Sequence, residues 1–332
     1  MGTQKTVGEF GEFALIRRIS EILGLNSKEV IVGLGDDAAV VNLPNRPLVI
    51  TTDTMIETVH FRREWGSASE LAVKSLASNM SDLAAKCAEP AYCLVTLGLS
   101  PETPIAWVEE FYQTLARLRS EWGVEVIGGD TVRSSQLLIS ITALGYQIPL
   151  HPIENRTARI GDRILVTGTV GDAAAGLEIL QNRAPKESVS DVDTFLIRRF
   201  QQPTPRFREA MRMIETTTPT SMTDISDGLA RDLPKLCHAS GVGARIHPQR
   251  LPCSLALKDY ARERAALYAW KGGEDYELLF TLPPSETDRL IGCWDDPHCP
   301  LTVIGEITSP ASGIVLTDWN EPSIEGFDHF RS

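Results

Sequence analysis

The chain has 332 residues, of which 42% are hydrophobic and 23% charged, a composition typical of soluble globular proteins. At roughly 100–200 residues per domain, this length predicts two domains. The 44 acidic residues outnumber the 32 basic ones and give a formal net charge of −12, which disfavours nucleic acid and anionic membranes as partners because like charges repel.

The sequence also predicts a cytoplasmic protein. Glu9 and Glu12 lie where a secretory signal would need an apolar segment. The longest uncharged run, residues 136–153, contains Gly, Pro and hydroxyl-bearing residues, which favours a pair of strands over a membrane-spanning helix. Six cysteines lack C-x-x-C spacing, as expected for reduced thiols rather than a zinc site or a disulfide framework. They are Cys87, Cys93, Cys237, Cys253, Cys293 and Cys299.

Apolar residues recur with helix and strand periodicities along the first half of the chain. The predicted helices are Glu9–Leu23, Ser67–Cys87 and Pro104–Trp122. The predicted strands are Val30–Leu43, Pro47–Ile56, Ala91–Leu99, Val124–Ile127 and Leu137–Tyr146. Ser67 or Ser69 is expected to cap the second helix.

Turn-forming residues predict a domain boundary near residue 150, where Pro149 and Pro152 precede a polar stretch at 155–157. We therefore predict an N-terminal domain over residues 1–149 and a C-terminal domain over residues 150–332. In the second half, the predicted helices are 172–182, 206–216 and 227–240, and the predicted strands are 163–169, 220–225, 243–247 and 276–281. The polar segment 184–193 is predicted to be a loop. Both halves are of mixed α/β character, and periodicity does not give the strand order.

Acidic residues recur beside Gly, Ser or Thr in six short segments, most of which we expect to form turns. The segments are Gly35–Ala38, Thr51–Thr54, Asn79–Asp82, Gly128–Thr131, Asp224–Gly228 and Gly272–Asp275. Any one of them has an ordinary explanation, because Asp beside Gly caps its own backbone in turns, and Asn79 and Asp82 would share one helix face. Their accumulation after predicted strands indicates a ligand site, since α/β proteins build such sites at strand ends.

The chemistry of these side chains favours magnesium and a nucleotide. Clustered carboxylates repel one another and need a counter-charge. Oxygen ligands from Asp and Thr suit Mg²⁺, which is often held jointly by carboxylates and substrate phosphates. Metal ions that bridge phosphates and carboxylates let an acidic protein bind ATP, and the pair Gly128–Gly129 would let backbone N–H groups approach a phosphate. The pattern predicts a site for Mg²⁺ and a nucleotide.

Several familiar catalytic motifs are missing from the sequence. It has no G-x-x-x-x-G-K-[ST] P-loop, no H-R-D or D-F-G of a protein kinase, and no G-x-S-x-G elbow. The segment Gly33–Ala38 fits G-x-G-x-x-A, but its two carboxylates would repel a dinucleotide pyrophosphate. The six histidines show no H-E-x-x-H or other metal-ligand spacing.

Eight motifs follow one another in a characteristic order. Those in the first half are Gly35–Ala38, Thr52–Thr54 with His60–Phe61, Asn79–Ala85 and Gly128–Thr131. Those in the second half are Val166–Asp172, Asp224–Leu229, Gly272–Leu278 and Gly326–Phe330. This series resembles the thiamine-monophosphate kinase family over nearly the whole chain. The resemblance implies a two-domain fold like that of aminoimidazole ribonucleotide synthase, with an N-terminal α/β domain and a C-terminal α+β domain. It also implies a homodimer formed by the N-terminal sheet, with ATP near the junction of domains and subunits.

The resemblance further implies direct transfer of the ATP γ-phosphoryl group to the phosphate of thiamine monophosphate, giving thiamine diphosphate and ADP with the help of Mg²⁺. Metal-liganding positions are implied at Asp37, Thr51, Thr52, Asp53, Asp82, Asp130, Asp224 and Asp227. Nucleotide contacts are implied at Gly129, Asp130, Arg156 and Ser226. Thiamine monophosphate would be held by His60, Glu274 and Phe327. The implied catalytic residues are Asp82, Asp130 and Asp227.

Some of these assignments have an alternative. The spacing after Arg156 is one residue shorter than in relatives, so Arg159 is the other candidate for the nucleotide contact. Phe327 would lie against the aromatic rings or the thiazolium cation of the substrate, or pack in a core. His60 and Glu274 would otherwise be satisfied polar residues in turns.

Several features of the sequence bear on alternative functions. Selenophosphate synthetase needs a reactive Cys near the N-terminus, whereas the first cysteine here is Cys87. The related hydrogenase-maturation protein has a functional Cys at its extreme C-terminus, where this chain has Ser332. Aminoimidazole ribonucleotide synthase has a glycine-rich segment in place of Thr51–Thr54. Outside the superfamily, a metal-dependent phosphohydrolase or a non-catalytic nucleotide or metal sensor would also use an Asp cluster.

Overall fold

A computed structural model describes residues 5–24, 27–149, 151–182 and 189–319. The chain divides into two compact units. The first comprises Met1–Leu83 and Ala88–Ile148, and the second comprises Ala84–Cys87 and Pro149–Ser332. A short segment at the end of one helix thus belongs to the second unit. The predicted domain ranges 1–149 and 150–332 stay a prediction.

Ten helices and strands of the first unit fall within the described ranges. The helices are α1 (Val7–Phe10), α2 (Glu12–Leu23), α3 (Ala68–Ala85) and α4 (Ile105–Trp122). The strands are β1 (Val30–Val32), β2 (Val40–Val41), β3 (Leu48–Ile56), β4 (Ala88–Leu99), β5 (Glu125–Arg133) and β6 (Leu138–Gln147).

Helix boundaries in this unit follow local signals. The predicted helix Glu9–Leu23 is wrong at its start, because Gly11 has a φ of 80° and separates α1 from α2. Of the two candidate caps for α3, Ser67 acts as the cap, since its hydroxyl accepts a hydrogen bond from the Glu70 N–H at 3.2 Å. Helix α4 ends at Gly123, whose φ of 72° is left-handed.

The four long strands form one sheet in the order β3-β6-β4-β5. Strands β4 and β5 are parallel, and the other neighbouring pairs are antiparallel. Side chains alternate between the two faces of a sheet. In β3, Met55 is buried, and Thr51 and Asp53 share its face. We call this the inner face, and the side of Thr52 and Thr54 the outer face.

The core of the first unit lies between the inner face and helices α2, α3 and α4. Its buried residues include Leu15, Leu76, Val95, Phe111 and Ile141. A fully buried Leu or Phe side chain contributes about 1.5–3 kcal/mol, so burial of this face fixes the register of the strands. On the outer face, by contrast, Ile50, Leu94 and Val132 are exposed.

In the second unit, the described residues form seven helices and six strands. The helices are α5 (Asp172–Asn182), α6 (Asp191–Gln201), α7 (Phe207–Thr216), α8 (Leu229–Ser240), α9 (Leu255–Ala261), α10 (Ala265–Lys271) and α11 (Pro284–Cys293). The strands are β7 (Arg163–Thr167), β8 (Ser221–Ile225), β9 (Gly243–Ile246), β10 (Glu277–Leu282), β11 (Leu301–Thr308) and β12 (Ile314–Leu316). Over the described parts of both units, no helix combines the length and apolar character needed to cross a membrane.

These strands form one six-stranded sheet in the order β12-β9-β11-β7-β10-β8. Only β12 and β9 are parallel among the hydrogen-bonded pairs of this sheet in the described residues. All six residues of β10 are buried, as expected for a strand covered on both faces. Glu277, the first residue of β10, is therefore a carboxylate inside the unit.

Residues 184–188 of the predicted loop 184–193 lie outside the described residues, and the prediction is wrong at its end. Helix α6 begins at Asp191, and the Ser190 hydroxyl accepts a hydrogen bond from the Asp193 N–H at 3.0 Å in a capping box. The polar residues Ser190 and Asp193 thus form the N-terminal cap of α6 and do not extend the loop. Helices α6, α9, α10 and α11 and strands β11 and β12 were not predicted. The predicted strand Val30–Leu43 is wrong, because β1 and β2 are separate strands and the connection between them contains Gly35 with a left-handed φ of 97°.

Candidate active site

In the first unit, strand β3 and helix α3 bring together two of the predicted metal ligands. The Thr51 hydroxyl on the inner face donates a hydrogen bond to Oδ2 of Asp82. Asp53 lies two residues further along β3 on the same face. Thr51, Asp53 and Asp82 are all partly buried, so this side of the sheet presents oxygen atoms next to the core.

Helix α3 carries polar residues into the interior beside Asp82. The buried set is Lys74, Ser75, Ser78, Asn79 and Ser81. The Asn79 amide donates to the Ser75 carbonyl at 3.1 Å, whereas Asn79 Oδ1 is buried and has no hydrogen-bond partner among the described residues. A buried oxygen without a donor is rare in native proteins.

Thr52 and Asp130 lie on the outer face. The strand register aligns Asp130 with Thr96, Thr96 with Ser140, and Ser140 with Thr54. The prediction that the aspartates sit in turns is therefore wrong for Asp53 and Asp130, because both lie inside long strands. Within the first unit, Asp130 and Thr52 are not on the same face as Thr51 and Asp53.

Gly129 is required by the sheet itself. Its φ is 153°, and a Cβ there would lie 1.9 Å from the Val95 carbonyl oxygen of β4. No other residue fits without separating β4 from β5. The sequence analysis predicted that a glycine here lets the backbone approach a phosphate. The close contact with β4 is a second reason why position 129 needs glycine.

Asp37 and His60 lie in connections of the first unit. Asp37 is exposed between β1 and β2, and its N–H donates to Oδ1 of Asp36 at 2.7 Å. The half-buried ring of His60 accepts a hydrogen bond from the Ile56 N–H at Nδ1, at 3.0 Å. This bond fixes the ring orientation and places the proton of a neutral imidazole on Nε2.

The second unit holds the Asp224–Gly228 segment at the end of β8, where the sequence predicted a turn. Asp224 is buried near the C-terminal end of β8 and is aligned with Leu278 of the neighbouring strand β10. The N–H groups of Ser226 and Asp227 both donate to Oδ2 of Asp232, at 3.1 and 3.0 Å. The carboxylate of Asp232 thus holds the backbone of this turn.

Asp227 and Asp232 share one cation. The Lys235 ammonium forms an ion pair with Asp227 and another with Asp232, the latter at 3.2 Å. Burial raises the pKa of Asp232 to about 6, with a further contribution from the charge of Asp227, although Lys235 opposes both. Two carboxylates, those of Asp227 and Asp232, thus face a single ammonium group, that of Lys235.

Glu274 lies directly beside this turn. It adopts a left-handed φ of 66°, and its N–H donates to the Ser226 carbonyl at 2.7 Å. The structure thus brings together Ser226, predicted to contact the nucleotide, and Glu274, predicted to contact the other substrate.

Arg156 is exposed and pairs with Glu154, as an ordinary surface arginine would. Phe327 lies outside the described residues.

Sequence reasoning missed a set of buried charged side chains that includes Asp275 and Glu277, which follow Glu274 in the chain. Arg206 donates two hydrogen bonds to the Glu277 carboxylate, each at 2.6 Å, and Arg199 donates a third at 2.9 Å. Asp275 is buried beside them and accepts hydrogen bonds from the Gly171 and Ala173 N–H groups. The only signal was the density of acids in residues 272–278, which does not reveal which of them are buried.

No group of three or more His, Cys, Asp or Glu side chains is arranged to hold a metal ion by itself in the described parts of the chain. Mg²⁺ does not need such a cage, because one or two carboxylates with substrate phosphates and water complete its shell. The donors present, carboxylates and a Thr hydroxyl, are the oxygen ligands that this ion takes.

Comparison with known proteins gives the family. Residues 35–147 match the model described as AIR synthase related protein, N-terminal domain, and residues 159–317 match the corresponding C-terminal domain. A thiamine-monophosphate kinase of Escherichia coli (strain K12) is 39% identical over 328 residues, covering 97% of this chain and 99% of that protein. The chain belongs to the thiamine-monophosphate kinase family.

Solved structures of thiamine-monophosphate kinases agree along most of the chain. The crystal structure of the enzyme from Stenotrophomonas maltophilia K279a is 35% identical with a TM-score of 0.82, covering 92% of this chain and 96% of that one. The structure of AaThiL complexed with AMPPCP and TMP is 32% identical with a TM-score of 0.77, covering 99% and 100%. The resemblance and the two-domain fold of mixed helices and sheets, as in aminoimidazole ribonucleotide synthase, are thereby confirmed.

Proposed function

We propose that this chain transfers the γ-phosphoryl group of ATP to the phosphate of thiamine monophosphate, with release of ADP and thiamine diphosphate. The observation that carries the proposal is the similarity, over 99% of the chain, to AaThiL complexed with AMPPCP and TMP. The curated relatives along nearly the full length are thiamine-monophosphate kinases as well. ATP is thus a co-substrate and thiamine monophosphate the acceptor, in the biosynthesis of thiamine diphosphate.

The candidate site suits a reaction between two anions. The acceptor is already a phosphate, so no strong general base is needed, and catalysis depends on positioning and on neutralising charge. This fits a site with many carboxylates and with histidine and serine held by backbone hydrogen bonds. It also accounts for the absence of a nucleophile–base pair of the hydrolase type from the predicted residues.

Magnesium is part of the proposal, because ATP would not approach these carboxylates alone. In the first unit, Thr51, Asp53 and Asp82 would hold it, and Asn79 on the same helix as Asp82 carries an unpartnered Oδ1. In the second unit, Asp224 and Asp227 would do so. Bound there, Mg²⁺ supplies the positive charge that offsets phosphate and carboxylate repulsion. Asp37, Thr52 and Asp130 are also proposed metal ligands, and because Thr52 and Asp130 lie on the outer face they would hold an ion apart from Thr51 and Asp53.

The remaining residues are assigned by substrate. Ser226, Gly129, Asp130 and Arg156 are proposed to contact ATP. His60, Glu274 and Phe327 are proposed to contact thiamine monophosphate. The hydrogen bond from the Glu274 N–H to the Ser226 carbonyl supports adjacent binding of the two substrates. Asp82, Asp130 and Asp227 are the proposed catalytic residues.

We also propose a homodimer in the cytoplasm. The outer face of the β3-β6-β4-β5 sheet exposes Ile50, Leu94 and Val132 between small polar side chains, and a second copy would cover this apolar surface. All six cysteines are free thiols, which suits a reducing compartment.

Product analysis tests the reaction. The protein is incubated with ATP, Mg²⁺ and thiamine monophosphate, and the thiamine compounds are separated by chromatography. We expect thiamine diphosphate and ADP in equal amounts, and neither when any one component is omitted. ADP and phosphate formed without the acceptor would indicate a phosphohydrolase, and ATP binding without turnover would indicate a sensor; either outcome contradicts the proposal.

A further inference from the structure

Three connections of the second unit meet with their backbones in direct contact. They are the β7–α5 turn (residues 168–171), the β8–α8 turn (residues 226–228) and the α10–β10 loop (residues 272–276). A Cβ on Gly228 would lie 2.7 Å from the Gly272 carbonyl oxygen, and a Cβ on Gly273 would lie 2.6 Å from the Ser226 carbonyl oxygen. These glycines let the β8–α8 turn and the α10–β10 loop touch, so the position of one sets the position of the other.

Asp275 attaches the α10–β10 loop to the β7–α5 turn. Its Oδ2 accepts a hydrogen bond from the Gly171 N–H at 2.6 Å, and its Oδ1 accepts one from the Ala173 N–H at 3.0 Å. The side chain comes from a distant part of the sequence and satisfies donors at the start of α5 that would otherwise lack partners. A carboxyl group that is only 1% exposed is costly to bury, so these bonds point to a specific task.

The residues on both sides of Asp275 have unfavourable backbone conformations. Glu274 has a φ of 66° and Tyr276 a φ of 53°, and neither is a glycine. Such conformations are energetically unfavourable and persist where surrounding contacts impose them. Here the Glu274 N–H donates to the Ser226 carbonyl, and the Tyr276 N–H donates to the Ile225 carbonyl at 2.9 Å. Backbone bonds thus hold the loop on one side, and Asp275 holds it on the other.

From this geometry we infer that Asp275 is a positioning residue for phosphoryl transfer: by anchoring the α10–β10 loop to the β7–α5 turn, it orients Glu274 towards thiamine monophosphate and keeps Ser226 in place for ATP. This inference rests on the proposed function. The inference assigns Asp275 no contact with either substrate, because its buried carboxylate already accepts hydrogen bonds from the Gly171 and Ala173 N–H groups. Its effect passes through the left-handed backbone of Glu274 and the hydrogen bond that joins Glu274 to Ser226.

Steady-state kinetics of Asp275→Asn and Asp275→Ala test the inference in the full-length protein. Asn keeps one oxygen for the two N–H donors and Ala keeps none, so the loss should increase in that order. We expect kcat/KM for thiamine monophosphate to fall about tenfold for Asn and about a hundredfold for Ala, with a rise in KM for thiamine monophosphate larger than that for ATP. If Asp275→Ala does not fold, Asp275→Asn alone decides the result.

The matched control is Asp296→Asn. Asp296 belongs to the same unit and also accepts two backbone hydrogen bonds, from His298 at 2.9 Å and Cys299 at 3.2 Å. It lies outside the three connections, so we expect its kinetic constants to stay within about twofold of wild type. Wild-type constants in both Asp275 variants, or an equal loss in the Asp296 variant, would overturn the inference.

Hydrogen exchange measured by mass spectrometry tests the same contact, between Asp275 and the β7–α5 turn, without any assay of activity. We expect peptides covering residues 168–174 and 271–277 to exchange faster in Asp275→Asn, while peptides from β11 stay unchanged. Unaltered exchange in both segments would overturn the inference whatever the enzyme does. Faster exchange in a protein whose wild type makes no thiamine diphosphate would support the anchor and contradict the proposed function instead.

Discussion

At the scale of single residues, two neighbouring buried acids differ in what balances their charge. Burial alone would raise the pKa of Glu277, but the guanidinium groups of Arg206 and Arg199 outweigh it and hold that pKa below the usual range. Burial also acts on Asp275 and raises its pKa to about 8, with Asp172 adding to the effect, because Arg199 and two N–H donors do not compensate fully. The two arginines therefore favour the ionised form of Glu277, whereas the pKa of Asp275 is raised to about 8.

This difference predicts how stability depends on pH. The folded-state pKa of Asp275 lies near 8 and above its ordinary value of 3.8, so the folded state binds the proton more tightly than the unfolded state. Its contribution is fully present below about pH 4 and is lost as pH rises through about 8. An Asn side chain does not titrate in this range. Between about pH 4 and 8 we therefore expect the free energy of unfolding to fall less in Asp275→Asn than in the wild type, by at least about 1.4 kcal/mol. Urea unfolding at several pH values checks this, and parallel curves for the two proteins would contradict it.

Asp82→Asn tests the proposed metal ligand on α3. The amide oxygen can still accept the hydrogen bond from Thr51, so the fold should survive, while the charge that would hold Mg²⁺ is lost. We expect kcat/KM to fall at least about a hundredfold, with an unchanged circular dichroism spectrum. Glu64→Gln, an exposed acid of the same unit, is the control and should keep full activity. Wild-type activity of Asp82→Asn would remove Asp82 from the catalytic residues.

At the scale of elements, the sheet of the first unit depends on the close approach of β4 and β5. A Cβ at position 129 would lie 1.9 Å from the Val95 carbonyl oxygen, whereas a Cβ at Gly123 would meet no atom within 4 Å. We expect Gly129→Ala to lower the free energy of unfolding by about 3 kcal/mol or more, and Gly123→Ala by about 1 kcal/mol from its left-handed φ alone. Thermal unfolding of both variants measures the difference, and equal losses would contradict this account of Gly129.

The sequence predicted some elements well and others poorly, for physical reasons. Helices α3 and α4 and strands β3 and β6 follow the predictions within a few residues, because their apolar periods are long. Asp53 lies within β3, which was predicted as a strand, so only the separate expectation of a turn at residues 51–54 is wrong. The turn expected around Asp130 is a strand instead, because its Gly-rich segment pairs with a neighbour that local patterns do not reveal. The ion pairs of Glu277 with Arg199 and Arg206 join residues 71–78 positions apart, and no short-range signal connects them.

At the scale of the whole molecule, the apolar outer face bears on the proposed homodimer. Ile50 is 61% exposed there, while Phe13 on α2 is 89% exposed but lies on another surface. We expect Ile50→Glu to give a monomer, because the interface would bury an unpaired charge, and Phe13→Glu to leave the mass of the wild type unchanged. Light scattering coupled to size-exclusion chromatography reads the mass. A dimeric Ile50→Glu, or a monomeric wild type, would contradict the role of this face.

The central claim is that the γ-phosphoryl group passes from ATP to thiamine monophosphate. ATP labelled with ¹⁸O in the γ-phosphoryl group, incubated with the protein, Mg²⁺ and thiamine monophosphate, tests it most directly by mass spectrometry of the thiamine product. We expect thiamine diphosphate whose terminal phosphoryl group carries the label, and no labelled inorganic phosphate beyond background. Label recovered only as inorganic phosphate, or absence of labelled thiamine diphosphate, would contradict the claim.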